Sequence, residues 1–258
     1  MADFVRFSFA LSARMHSYLM LRDALRCLAD AADDRDPYRW LHAAIDLRTS
    51  LIGDQARKVA IPELHALLAT TQSHLKGLAK EHPQYADNIR KACDKLQGHM
   101  DGLQEGLGEA CNLLERDALL NAYLNTQKKQ DWLGHKPCLP RALPTLWQHH
   151  GSRTEPLASA LSPLTEAVEE LDGMLHDFVG WEKCTAKGGS DHVTPPRDQA
   201  FGLLVVALPA AAVAGGVVPD ISGNRHAIRL RFQRWQPGQP PAEVTEDLPY
   251  MMMLVPIA

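Results

Sequence analysis

The sequence predicts an α+β fold, with an N-terminal helical bundle domain over residues 10–180 and a smaller antiparallel β domain over residues 181–258. Two observations predict this class. Apolar residues recur at helical spacing through the first part of the chain, and after Gly180 the composition changes to loop residues and β-forming runs. A third observation, an alternating segment at the very start, adds residues 3–9 to the β domain.

The N-terminal segment alternates between apolar and polar residues. Val5, Phe7 and Phe9 are separated by single polar residues, which is the period of a strand with two different faces. An isolated strand leaves its backbone donors and acceptors without partners. We therefore expect this strand to pair with strands between residues 200 and 256.

Capping residues and prolines divide the helical domain. Ser12 is placed to cap the first helix, and Asp36 followed by Pro37 is typical of the start of a second. Pro62 begins a third helix, which Pro83 ends. These positions predict three successive helices before Pro83.

A longer helical stretch runs from about Tyr85 toward Gln127. Glycine weakens a helix interior, so we expect this stretch to break into two helices within its glycine-rich part. Further on, Ser162 followed by Pro163 predicts the N-terminus of another helix. The glycines concerned are Gly98, Gly102, Gly106 and Gly108.

Three strands are predicted in the C-terminal part, over residues 203–208, 227–235 and 250–256, with a loop over residues 187–196. The uncharged segment 201–218 is long enough to cross a bilayer. Its proline, its glycines and its alanine-rich middle favour a strand followed by a flexible loop instead. We therefore expect no membrane insertion.

Composition narrows the class of protein. The chain has 258 residues and a formal net charge of −4, which argues against a general nucleic-acid binder because such proteins carry broadly basic surfaces. The N-terminus has no uninterrupted apolar segment, so we expect no signal peptide. An odd number of cysteines without a C-x-x-C motif predicts reduced thiols rather than disulfides or a zinc ribbon. The cysteines are Cys27, Cys93, Cys111, Cys138 and Cys184.

Residues 225–235 are the strongest candidate for a binding site. As a strand, this segment places Ile228, Leu230 and Phe232 on one face. Guanidinium groups two residues apart form a row that can clamp carboxylates, whereas the same row is also typical of the solvated outer face of an edge strand. The sequence supports both interpretations equally. The opposite face carries Arg225, Arg229, Arg231 and Trp235.

Signatures of enzymes and metal sites are absent from the sequence. There is no G-x-S-x-G elbow, no phosphate-binding loop and no H-E-x-x-H motif, and the adjacent pair His149 and His150 has no spaced set of partners. We therefore predict a non-enzymatic protein without a cofactor or metal. Two alternatives stay open: a nucleic-acid binder that stacks bases on Trp235 and Phe232, and an enzyme without a recognisable motif.

Three parts of the sequence together resemble the ZapD family of bacterial cell-division proteins. The first is VRFSFALSARMHSYLMLRDAL at residues 5–25. The second combines LPTLW at residues 143–147 with ALSPLTEAVEEL at residues 160–171, and the third is PDISGNRHAIRLRF at residues 219–232. Their order and spacing cover nearly the whole chain, and the third is the most specific.

The resemblance implies a helical domain that forms a homodimer, a β domain beside it, and no catalysis. It also implies a cytoplasmic protein at the division site that binds the C-terminal tail of the tubulin-like protein FtsZ and crosslinks FtsZ filaments. Met20, Ala118 and Trp147 stand where the family carries Arg or His. The expected peptide-binding residues are therefore Arg225, Arg229 and Arg231, with Arg14 and His226 at the rim.

Overall fold

A computed structural model of the chain confirms the α+β class, with helices in the N-terminal part and antiparallel sheets mainly in the C-terminal part. The chain divides into two compact units, Met20–Leu171 and a second unit made of Met1–Leu19 with Asp172–Ala258. The sequence predicts domain boundaries after residue 9 and after residue 180, whereas the division of the structure falls inside the first and the last long helix. The structure describes residues 4–52, 60–128, 143–145, 147–149, 151–177, 179–196 and 199–256.

The helices and strands follow one another in the order that the sequence predicts, with additional strands. Residues 143–145 and Trp147–His149 form short helical turns, as does Pro83–Tyr85. The described helices are α1 (Ala13–Asp33), α2 (Pro37–Ile52), α3 (Ala60–Glu81), α4 (Ala86–Arg116), α5 (Ala118–Lys128), α6 (Gly151–Asp177) and α7 (Ala210–Ala214). The described strands are β1 (Phe4–Ala10), β2 (Glu182–Ala186), β3 (Ser190–Val193), β4 (Phe201–Pro209), β5 (Val217–Asn224), β6 (Ala227–Arg234), β7 (Ala242–Glu243) and β8 (Leu248–Pro256).

The predicted caps of the first two helices are confirmed. The Ser12 hydroxyl accepts a hydrogen bond from the Met15 backbone N–H at 3.2 Å. The Asp36 carboxylate accepts from the N–H groups of Tyr38 and Arg39 at 3.0 and 3.1 Å. Each acceptor satisfies backbone donors that have no partner inside the helix, and the starts of α1 and α2 were therefore readable from the sequence.

The predicted break among the glycines was wrong, because α4 is continuous from Ala86 to Arg116. A Cβ placed on Gly98, Gly102 or Gly108 would meet no atom within 4 Å, so these glycines serve no close packing. Burial of the opposite face outweighs their weak helix propensity. The break comes instead at Asp117, whose carboxylate caps α5. The buried residues on α4 are Cys93, Leu96, Met100, Leu103, Ala110 and Leu114.

The predicted helix start at Ser162 was also wrong. Helix α6 begins at Gly151 and runs through both Pro156 and Pro163. The Ser162 hydroxyl caps nothing and donates to the Glu166 carboxylate at 2.6 Å. Each proline lacks the backbone N–H that would donate to the preceding turn of the helix. Burial of an apolar face stabilises the helix in spite of these missing hydrogen bonds. That face includes Leu157, Leu161, Leu164, Val168 and Leu171.

Two antiparallel sheets make up the β structure. The first has the strand order β1-β4-β8-β2, and the second has the order β3-β6-β5 with β7 also paired to β6. The N-terminal strand pairs with β4 from Phe4 opposite Pro209 to Ala10 opposite Leu203, which confirms that the β domain takes in the start of the chain. A shared apolar core joins residues of both sheets, among them Leu204, Val206, Leu208, Ile228, Leu230 and Phe232.

The sequence underestimated the number of strands. Residues 187–196, predicted as a loop, contain β3, and β2 directly precedes them. Both strands are short and largely polar on their outer faces, so they lack the apolar run by which strands are recognised. The segment 201–218 forms β4, α7 and the start of β5, and among the described residues no helix is long and apolar enough to cross a bilayer.

Candidate functional site

Strand β6 lies inside the second sheet, between β5 and β3. Its Ile228, Leu230 and Phe232 side chains are buried, with exposed fractions of 2% or less. The residues between them alternate to the outside, where Arg229 is exposed and Arg231 is half-buried. The two faces that the sequence predicts for this strand are therefore confirmed, and the apolar face belongs to the core between the sheets.

Arg225 is not on the strand, which is a correction to the predicted segment. Arg225 and His226 form the two-residue turn between β5 and β6, and the Arg225 Nε group donates to the His226 imidazole at 3.2 Å. Gly223 makes this turn possible because it holds a φ of 133°, where a Cβ would lie 2.2 Å from the Ala227 carbonyl oxygen. The Asn224 side chain accepts from the His226 backbone N–H at 2.9 Å and closes the turn.

Arg231 is already paired with acidic groups. Its guanidinium lies 3.4 Å from the Asp220 carboxylate and 3.8 Å from the Glu243 carboxylate. Asp220 stands directly opposite Arg231 in the register of β5 and β6. Two carboxylates therefore balance this positive charge, and the like-charge row that the sequence predicts is partly neutralised within the protein.

Arg229, unlike Arg231, has no carboxylate opposite it in the sheet. Its cross-strand neighbours are Ser222 on β5 and His192 on β3, so no carboxylate stands directly opposite it. Its side chain forms no hydrogen bond or ion pair with any residue that the structure describes. A solvated guanidinium in this setting is available to bind a carboxylate through two parallel hydrogen bonds.

Neither of the two predicted rim residues, Arg14 and His226, lies on strand β6. Arg14 lies in the first turn of α1, outside the β5–β6 hairpin. His226 lies in the turn, beside Arg225. Trp235 follows β6 and is 57% exposed. Phe232 is fully buried and faces the core, so a nucleic-acid site on this face would lack one of its two stacking groups.

Burial raises the pKa of three groups, Tyr250 and Cys184 in the β structure and Cys93 on α4, and so favours their uncharged forms. The Tyr250 hydroxyl donates to the Asp191 carboxylate at 2.7 Å, and burial together with this bond raises the pKa of Tyr250 above its ordinary value. Burial also raises the pKa of the Cys184 and Cys93 thiols. A raised pKa lowers the thiolate fraction, and the thiolate is the nucleophilic form.

Outside the β5–β6 hairpin, the described residues contain a half-open cavity but no cluster of metal-ligating side chains. No group of three His, Cys, Asp or Glu side chains in the described part of the chain is arranged to hold a metal ion. A cavity of about 480 Å³ lies at the junction of α4 and α5, where the Asp117 carboxylate pairs with Arg153. Its described lining contains neither His nor Cys. Cys138 and His150 lie outside the described residues.

Sequence reasoning found Arg229 but missed what distinguishes it from Arg231. The distinction comes from Asp220 and Glu243, which lie on other strands and reach Arg231 only through the register of the sheet. No local sequence signal marks that pairing. Comparisons with known proteins add no assignment of their own: no protein-family model matches the chain, and no curated protein matches it.

Proposed function

We propose that this protein binds the acidic C-terminal tail of FtsZ on the outer face of the β5–β6 hairpin, with Arg229 as the central contact. As a homodimer in the cytoplasm it crosslinks FtsZ filaments at the division site, and it has no catalytic activity. The observation that carries this proposal is the exposed Arg229 guanidinium, which has no acidic partner among the described residues. The resemblance to the ZapD family supplies the identity of the partner.

The electrostatics of the face support a small, specific site rather than a general polyanion surface. Arg231 is balanced by Asp220 and Glu243, so little of its charge remains for a ligand. Arg229 and Arg225 remain as cations that a short acidic segment can reach. A peptide carboxylate that binds Arg229 forms charge-assisted hydrogen bonds, which are roughly twice as strong as neutral ones.

Crosslinking requires at least two peptide sites in one particle. A homodimer provides them, and two linked sites gain effective concentration on a filament that displays many tails. A stable twofold interface is expected to bury at least about 1,000 Å² of surface. Light scattering at micromolar concentration measures the mass of the particle directly, and a purely monomeric protein contradicts the crosslinking part of the proposal.

Fluorescence anisotropy with a labelled FtsZ tail peptide tests the binding part. We expect Arg229→Gln to weaken binding by about tenfold to a hundredfold, since a hydrogen bond to a charged group contributes about 1.5–3 kcal/mol. Arg90→Gln is the matched control, because Arg90 carries the same charge, is exposed on α4 and, among the described residues, forms an ion pair only with Asp87 on its own helix. It should leave the affinity unchanged.

Salt provides a second readout on the same peptide. Exposed charge pairs are screened over roughly 8 Å at physiological ionic strength, so the affinity of the parent protein should fall as salt is added. The Arg229→Gln variant should show a shallower dependence because one ionic contact is gone. Equal affinity and equal salt dependence for Arg229→Gln and the parent would contradict the assignment of the site.

A further inference from the structure

Strand β5 is an edge of the second sheet. It pairs with β6 on one side, and no other described strand is hydrogen-bonded to its other edge, although residues of β1 and α7 lie close to it. Its last residues, Ser222 to Asn224, are exposed. An exposed edge presents backbone groups to which a further strand can be added, and Pro219 inside β5 is the kind of residue that is tolerated at such an edge.

The backbone hydrogen bonds of β6 show which groups of β5 face outward. The Phe232 N–H donates to the Gly189 carbonyl at 2.9 Å, and its own carbonyl accepts from the Val244 N–H at 2.9 Å. Both bonds lead away from β5. Pro219 stands opposite Phe232, so the two residues form a pair without mutual hydrogen bonds, and the Pro219 carbonyl also points away from β6.

The alternation along a strand extends this result to Ile221. Two residues from Pro219, Ile221 directs its N–H and its carbonyl to the same outer edge. These groups make no backbone hydrogen bond to any described residue. Pro219 lacks an N–H, so Ile221 is the residue of the pair that offers both a donor and an acceptor to an incoming strand.

We infer that the acidic peptide of the proposed function is received as an added strand along β5, with its backbone paired to Ile221. This inference rests on the proposed function and specifies how the same site takes its ligand. An extended peptide gains affinity from main-chain hydrogen bonds and specificity from alternate side chains, the mode known from other proteins that add a strand to a sheet.

The rows across the sheet determine where the acidic side chain of the peptide lies. Ser222 stands between the added strand and Arg229, and Asp220 stands between that strand and Arg231. Neighbouring strands lie about 4.8 Å apart, so the peptide backbone is about 10 Å from β6. An arginine and an acidic side chain together span that distance above the small Ser222 hydroxyl.

The neighbouring row across the sheet, which contains Asp220 and Arg231, disfavours an acidic side chain of the peptide. Asp220 is acidic and already pairs with Arg231 at 3.4 Å, so a second carboxylate in that row meets like charge. The site therefore selects a peptide with an acidic residue in the Ser222 row and a neutral residue two positions away in the Asp220 row. The selection by charge pattern is a property of the register and not of net charge.

Substitution of Ile221 tests the added strand on the full-length protein. Ile221→Pro removes the outward N–H and leaves the hydrogen bonds between β5 and β6 in place, as Pro219 already does two residues earlier. We expect binding of the tail peptide to weaken by about tenfold, the upper end of what one lost hydrogen bond contributes. Ile221→Ala is the matched control, since it shortens the side chain and keeps the N–H; it should bind with nearly the parent affinity.

Backbone-methylated peptides test the same point on the unaltered protein, should the proline variant fail to fold. Alternate N–H groups of an added strand point toward β5 and away from it, so the tail peptide has two phases of N-methylation. Methylation of the N–H groups that point toward β5 should abolish binding, and methylation of the other set should leave it unchanged. Amide hydrogen exchange gives a third readout, in which the Ile221 N–H becomes protected when the peptide is bound.

The possible outcomes separate this inference from the proposed function. If the peptide binds with a requirement for Arg229, but tolerates Ile221→Pro or methylation in both phases, the added strand is refuted and the proposed function stands. If no peptide binds the parent protein, both are overturned. Binding that depends on Arg229, on the Ile221 N–H and on one phase of methylation establishes the added strand.

Discussion

The hydrogen bond between Tyr250 and Asp191 links the two sheets and offers a quantitative test of the β domain. Tyr250 lies on β8 in the first sheet and Asp191 on β3 in the second. The phenol donates to the carboxylate at 2.7 Å, and the tyrosine is 3% exposed. Replacing Tyr250 by Phe removes the donor and keeps the ring, so the packing against Phe232 is retained. We expect a loss of about 1.5–3 kcal/mol at neutral pH, because the acceptor is a carboxylate.

The pH dependence follows from the direction of the Tyr250 pKa. Burial and the bond to Asp191 raise that pKa in the folded protein, so the neutral phenol is favoured on folding. The stabilisation is complete below about pH 10, the pKa of an unfolded tyrosine, and declines above it because the unfolded state loses its proton first. Each pH unit above that point removes about 1.4 kcal/mol for this one group.

Urea unfolding between pH 7 and pH 11, followed by circular dichroism, measures both effects. The difference in unfolding free energy between parent and Tyr250→Phe should be constant up to about pH 9.5 and should shrink by about 1.4 kcal/mol by pH 11. Tyr85→Phe is the control, since Tyr85 is 57% exposed, and it should follow the parent at every pH. A difference between Tyr250→Phe and the parent that stays constant to pH 11 would refute the reasoning.

Three further substitutions test separate features by urea unfolding. Asp117 caps α5 and pairs with Arg153, so Asp117→Ala should cost about 2–4 kcal/mol, whereas Asp117→Asn, which still caps, should cost about 1 kcal/mol; equal costs would contradict the ion pair. Gly223→Ala should cost about 1–3 kcal/mol, because the Cβ meets the Ala227 carbonyl at a φ of 133°, and a neutral result would contradict the strained turn. Phe232→Ala should cost about 3–5 kcal/mol by opening a cavity in the core, and a cost below 1 kcal/mol would contradict its full burial.

The parts of the fold that the sequence predicts correctly depend on neighbours within a few residues. Ser12 and Asp36 cap helices because each reaches an N–H two or three residues ahead. The alternation around Arg229 places Leu230 in the core and Arg229 outside, because successive side chains of a strand point to opposite faces. The same reasoning placed Phe4 to Phe9 of β1 on a strand before any partner was known.

The wrong predictions concern elements that tertiary burial holds in place. Local propensity favours a break at the glycines of α4 and a helix start at Ser162. Both helices continue because their apolar faces are buried, and that free energy exceeds the cost of a glycine or a proline in a long helix. Strand β3 was missed because its own side chains show no strand pattern. It is a strand because its backbone is hydrogen-bonded to β6.

The features of the candidate site also fall into those that the sequence predicts and those that depend on tertiary structure. The sequence by itself determined that Arg229 and Arg231 share one outward face, because the period of a strand requires it. Only the tertiary structure decided that Arg231 is balanced by Asp220, that Arg229 faces Ser222, and that the Ile221 N–H points away from β6. These relations depend on strand register and sheet order, which arise from packing between residues far apart in the chain and leave no local pattern to read.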